Sequence, residues 1–151
     1  MFLKRKGELW LVVADGRRAR IFSQTDRASP LTLVEQFEHS GEAEIRDKPY
    51  RVQDSHGRRH ALADAGDLKA ERQARFLASV ADTINAGAAG DRFEHLIVAA
   101  PAKALGVLRK ALDTGASERV RADFSTDLAG KPEHELNAWL ASVEPQGRDV
   151  Q

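Results

Sequence analysis

Leu9 to Ala14 reads LWLVVA, six apolar residues with no polar interruption, the pattern of a strand covered on both faces. Asp15-Gly16 follows directly and signals a tight hairpin turn, with Ala19 to Ser23 as the return strand. Leu31 to Phe37 (LTLVEQF) predicts a third strand with Leu31, Leu33 and Phe37 on one side, and its half-polar composition places it at a sheet edge. Phe76, Leu77, Val80, Ala81 and Ile84 then recur at helical spacing and form a buried stripe, with Asp67 as the expected N-cap and Gly87 to Gly90 as the end. Lys69, Arg72 and Arg75 fall largely off that stripe. Leu96 to Ala100 (LIVAA) is a second continuously apolar strand. Pro101 opens a helix with Leu105, Leu108 and Leu112 inward and Lys103, Arg109 and Lys110 toward water. Val120, Ala122 and Phe124 alternate with Arg119, Arg121 and Asp123, which predicts a fifth strand with one wet face at the other edge. Pro132 opens a last helix whose stripe is Leu136, Trp139, Leu140 and Val143, and the residues from Pro145 are expected to fray.

The two continuously apolar strands must be central and the two half-polar ones must be edges, while the hairpin pairs strand two with strand one. The order 3-2-1-4-5 satisfies all of this. Right-handed crossovers through the two long helices would make strands one, four and five parallel. The expected fold class is α/β: a three-layer α/β/α structure on a five-stranded mixed sheet, similar in topology to ribonuclease H. It forms one domain over residues 1–144 with a short tail, 145–151.

Composition narrows the functional classes. The 23 basic and 23 acidic residues cancel, so no bulk field draws the chain to nucleic acid or to an anionic membrane, and any such attraction must be local. The absence of cysteine removes disulfides, thiolate metal sites and cysteine nucleophiles. Lys4, Arg5 and Lys6 before Leu9 to Ala14 imitate the order of a secretory signal, but that apolar run is too short for a signal core or a membrane span. A soluble, cytoplasmic protein without membrane insertion is expected.

Local charge concentrates in Arg46 to His60, RDKPYRVQDSHGRRH, where Arg46, Lys48, Arg51, Arg58 and Arg59 oppose only Asp47 and Asp54. Connections in compact domains usually take about 4 to 6 residues, so a longer charged excursion is either a working loop or a solvated one. As a working loop it would contact phosphates through those five cations with His56 and His60, and Tyr50 could stack on an unpaired base. Lys103, in the first turn of a helix after a central strand, is a further candidate phosphate contact, although every helix has such an end. Arg17, Arg18 and Arg20 add charge beside the hairpin, with edge protection as the plainer explanation.

Catalytic readings are thinner. Two-metal nuclease chemistry needs several carboxylates converging on adjacent strands. Asp15 and Glu71 are available, but the neighbouring central strand ends in Ala99, Ala100 and Pro101. Asp15 is more simply a turn residue, and Asp123 and Asp127 have ordinary edge and loop explanations. Ser55 with His56 and His60 lacks an orienting acid and a nucleophile elbow, and two loop histidines do not make a recognised zinc pattern. Neither a cofactor nor a metal is expected, and an enzyme is less expected than a binding module.

The blocks LWLVVADGRRARIF, DKPYRVQDSHGRRHAL, FEHLIVAAPAKALGVLRKAL and DLAGKPEHELNAWL, in this order across Leu9 to Leu140, resemble the bacterial host attachment protein family. That family in turn resembles the middle domain of archaeal and eukaryotic class-one peptide release factors. In those factors the loop before the long helix carries Gly-Gly-Gln, which positions water against peptidyl-tRNA. Ser55, His56, Gly57, Arg58, Arg59 and His60 stand at that place here, and Gly-Gly-Gln occurs nowhere in the chain. The resemblance therefore implies a loop position and not a peptide-release activity. Together with the local charge it directs the expectation to a non-enzymatic RNA-binding or ribosome-associated module. A protein-interaction factor in host attachment and a metal-dependent hydrolase stand as alternatives.

Overall fold

The computed structural model describes residues 7–39 and 54–143, with 54–67 described as helical backbone alone. Five strands, β1 (Leu9–Ala14), β2 (Arg18–Gln24), β3 (Thr32–Glu38), β4 (His95–Ala100) and β5 (Val120–Ser125), form one sheet in the order β3-β2-β1-β4-β5. β1 pairs antiparallel with β2 and parallel with β4, and β4 pairs parallel with β5. The helices are α1 (Asp54–Ala89), α2 (Ala102–Ala111), the single turn α3 (Thr114–Ser117) and α4 (Glu133–Val143). The expected order, strand directions and α/β class all stand.

Two cores flank the sheet. Trp10, Val12 and Ala14 of β1 face Phe76, Leu77, Val80 and Ile84 of α1 and Leu105 and Leu108 of α2. Leu9, Leu11 and Val13 point the other way, to Leu136 and Leu140 of α4 with Leu31 and Leu128. No residue of β1 is more than 1% exposed, which is why the strand tolerates no polar residue: each buried Leu or Val contributes about 1.5 to 3 kcal/mol. Trp139 closes the second core edge-on against Phe124, with ring centroids 5.1 Å apart.

Three local expectations are corrected. Asp67 is not an N-cap, because α1 starts at Asp54 and passes through it. Apolar periodicity reports packing, and a helix that continues beyond its packed face leaves no such signal. Once α1 is nucleated over the core, each further residue adds a hydrogen bond without a new nucleation cost. The edge strands supply the other two corrections. A bulge in β3 between the partners of Ile21 and Phe22 inserts one residue, so Leu31 enters the α4 core while Val34 and Phe37 pack on the α1 side, and Leu33 is left 42% exposed. A register shift in β5 likewise sends Val120 to the α1 side and Phe124 to the α4 side, leaving no cleanly wet face. One extra residue in a period of two reverses every side chain beyond it.

The far end of α1 is fixed by close packing. A Cβ on Gly87 would lie 2.6 Å from the Trp10 ring, so only glycine lets the helix sit this near β1. Asp91 then takes a φ of 55° and Arg92 N–H donates to the Gly87 carbonyl at 2.8 Å, a left-handed C-terminal stop made by Asp instead of Gly.

Candidate functional site

The length of α1 decides what the fold presents to solvent. Its 36 residues span about 54 Å, whereas a six-residue strand spans about 20 Å. Two contacts set its register on the sheet: Gly87 lies against Trp10 at the start of β1, and Gln73 lies against Gly16 just past the end of β1. The stretch from 73 to 87 thus covers the sheet. Residues 54–72 overhang its carboxyl edge by roughly 28 Å as a helical arm. Leu68, Lys69, Ala70 and Glu71 are exposed accordingly.

The same edge gathers several other elements. The β1–β2 turn is there, held by the Asp15 carboxylate, whose Oδ1 accepts from the backbone N–H groups of Arg17 at 2.7 Å and Arg18 at 2.8 Å. β3 also ends there: His39 N–H donates to the Arg17 carbonyl at 2.7 Å, and the His39 ring stacks on Phe76 with centroids 5.7 Å apart. β4 delivers Pro101 and the first turn of α2, where Lys103 is exposed. β5 delivers Thr126, whose N–H donates to the Ala100 carbonyl at 3.0 Å.

The expected site residues fall into three groups. Arg46, Lys48, Tyr50 and Arg51 lie outside the described residues. His56, Arg58, Arg59 and His60 occupy the first two turns of the arm, on helical backbone rather than in a loop, and their side chains lie outside the described residues. Lys103 is at the level of the sheet edge, so about 20 Å of helix separates that level from positions 58 and 59. The fold therefore puts Lys103 on the right edge but in a different place from the arm tip. Arg17 and Lys69 are exposed at the base of the arm and fall outside the expected set. Their only trace in the sequence is an Arg-Arg pair after Asp-Gly and a lysine on the long helix, which does not say which helical turn meets the hairpin.

The third hairpin cation has a different task. β2 is paired on both sides, so Arg20 protects no edge. Its guanidinium donates to the carbonyl oxygens of Ala129 at 2.8 Å and of Lys131, and lies over the Phe22 ring at 5.3 Å, tying the segment before α4 to the sheet. Burial first and Arg18 second lower its pKa below the ordinary guanidinium value, and Glu133 acts against them.

The carboxylates do not converge. Asp15 is committed to its own turn and lies 3.7 Å from Arg18. Asp123 pairs with Arg109 at 3.4 Å, and Asp127 accepts from Ala129 N–H at 3.3 Å. Among the described residues no three His, Asp or Glu side chains are grouped to hold a metal ion. Two clefts lie away from the carboxyl edge. One of about 600 Å³ is lined by Gly106, Arg109, Lys110 and Val120, and one of about 300 Å³ by Gln24, Arg27, Pro30 and Asn137. No helix among the described residues is long and apolar enough to cross a membrane.

Comparison with known proteins places this arrangement. The family described as "Protein required for attachment to host cells" matches residues 10–140. No curated protein matches the chain. Among solved structures the chain is similar to the archaeal translation termination factor aRF1, with a TM-score of 0.51 and 14% identity over 82% of this chain and 32% of that one. At that identity the likeness is one of fold. The chain spans about a third of the length of the termination factor.

Proposed function

From the premise that the chain belongs to the family of proteins required for attachment to host cells, we propose that it is a non-enzymatic RNA-binding or ribosome-associated module whose contact surface is the arm of α1 with the basic stretch that leads into it. One observation carries this reading. The helix is more than twice as long as the strands it covers, and the excess carries Arg58 and Arg59 directly after Arg46, Lys48 and Arg51. A helix of this length exceeds what covering the sheet requires, and its cations suit phosphate oxygens, with Tyr50 available to stack on a base. The fold likeness to a translation termination factor supports the same direction, and the missing Gly-Gly-Gln argues against peptide release. The overall charge balance implies a local contact that salt weakens, not a general affinity for nucleic acid.

Co-sedimentation with ribosomes at low and high salt tests the proposal. Arg58→Ala with Arg59→Ala should reduce binding and flatten its salt dependence, by roughly 0.7 in the log-log slope for each single-strand phosphate that is no longer neutralised. Unchanged affinity and slope in the double variant would remove the arm from the interface. The family's description favours a second reading, a protein partner in attachment. Absence of RNA and ribosome binding by the parent at low salt would put that reading first.

A further inference from the structure

We infer that the corner between the β1–β2 turn and the base of the arm is a second phosphate contact for the same RNA, made by Arg17 and Lys69; it rests on the reading proposed above. The corner is rigid. Gln73 seats on Gly16, His39 N–H bonds to the Arg17 carbonyl, and the His39 ring stacks on Phe76, so the hairpin tip and one stretch of α1 are held together by three contacts. Lys69 precedes Gln73 by four residues and shares its helical face, about 6 Å up the axis from the turn. Both cations are exposed.

The nearby acids with described side chains are Asp15, Glu38 and Glu71. Asp15 is bonded to the turn backbone and lies beside Arg18, and Glu38 stands directly across the β2–β3 pair from that same Arg18. Glu71 is two positions from Lys69, on the opposite face of α1, and four before Arg75, the spacing of a favourable helical pair. The corner presents one planar fork and one ammonium, donors that suit phosphate oxygens. Lys69 is eleven residues, three turns or about 16 Å, from position 58 on the same helical line. Arginines at 58 and 59 and a lysine at 69 along one helix match a ligand whose charge is also repeated. That is the backbone of a nucleic acid strand and not a single headgroup.

The test is fluorescence anisotropy of a labelled single-stranded RNA of mixed sequence at low salt, with the parent, Arg17→Ala with Lys69→Ala, and Arg58→Ala with Arg59→Ala. Arg17 serves the turn through its backbone, so Ala preserves the hydrogen bonds and the thermal midpoint should not move. Arg17→Gln with Lys69→Gln, which keeps the side-chain stems, repeats the measurement. We expect the corner variants to bind about tenfold more weakly and to show a log-log salt slope shallower by about 1.4, the share of two single-strand phosphates. If both corner variants bind like the parent while the arm-tip variant is weakened, the corner is no contact and the arm reading survives. Binding by the parent to phosphatidylglycerol vesicles but not to RNA would overturn both.

Discussion

Arg20 and Gly87 show how much of this molecule rests on single residues whose role is ambiguous on paper. Arg20 could be read as one more surface cation, yet it bonds two carbonyl groups more than a hundred residues away in sequence. Arg20→Ala should cost about 1 kcal/mol, the modest value fitting a partly exposed, charge-assisted donor, and it should loosen the segment before α4. Urea melts with amide exchange at residues 128–133 would check this, and exchange unchanged there would mean that the bonds do not anchor the segment. Gly87→Ala places a methyl group against the Trp10 ring, two elements that are both fully packed. Overpacking of this kind typically costs about 1 to 3 kcal/mol, so a clear fall in thermal midpoint is expected, whereas the same change at Gly106, where a Cβ meets nothing within 4 Å, should raise stability slightly.

Among the elements, α1 divides at Gln73 into a core helix and an arm. The division predicts that the two parts respond separately to damage. Leu62→Pro breaks the helix interior, at a local cost of about 3 kcal/mol, but it falls in the overhang and not over the sheet. Far-UV circular dichroism should lose helix signal while the thermal midpoint stays near the parent value and RNA binding drops. A midpoint lowered as far as by a core mutation would show that the arm is packed and not projecting. The edge strands make the complementary point. Each carries a register shift, which interrupts a regular hydrogen-bond row and makes it a poorer template for a neighbouring sheet.

For the molecule as a whole, the sheet with its two helical layers is the rigid base and the carboxyl edge is where chain connections, the arm and exposed cations meet. Val80→Ala, at a position with no exposure and contacts across the α1 core, should destabilise the fold by about 1 to 3 kcal/mol in denaturant melts, since a buried truncation loses transfer energy and leaves a cavity. A neutral result would contradict the packing described. The protein should also release no peptide from stalled ribosomes at catalytic concentrations, because nothing in the chain supplies the Gly-Gly-Gln at the head of the long helix. Measured release would mean that Ser55 to His60 carries other chemistry.

The strand order is legible in the chain because burial on two faces demands an unbroken apolar run, and only Leu9–Ala14 and Leu96 to Ala100 have one. The same logic finds the α1 stripe, since Phe76, Leu77, Val80, Ala81 and Ile84 touch the sheet at every helical turn. It fails wherever a residue's role depends on something other than its own packing. Residues 54–67 carry no apolar stripe at helical spacing, so nothing in the sequence separates a helix there from a loop before Asp67. The register shifts that send Phe37 and Val120 to the α1 side are set by pairing with neighbouring strands. Only the packed structure could bring Arg17 and Lys69, 52 residues apart, to one corner, because that meeting depends on where α1 is registered against β1, and glycines at 16 and 87 fix it at either end.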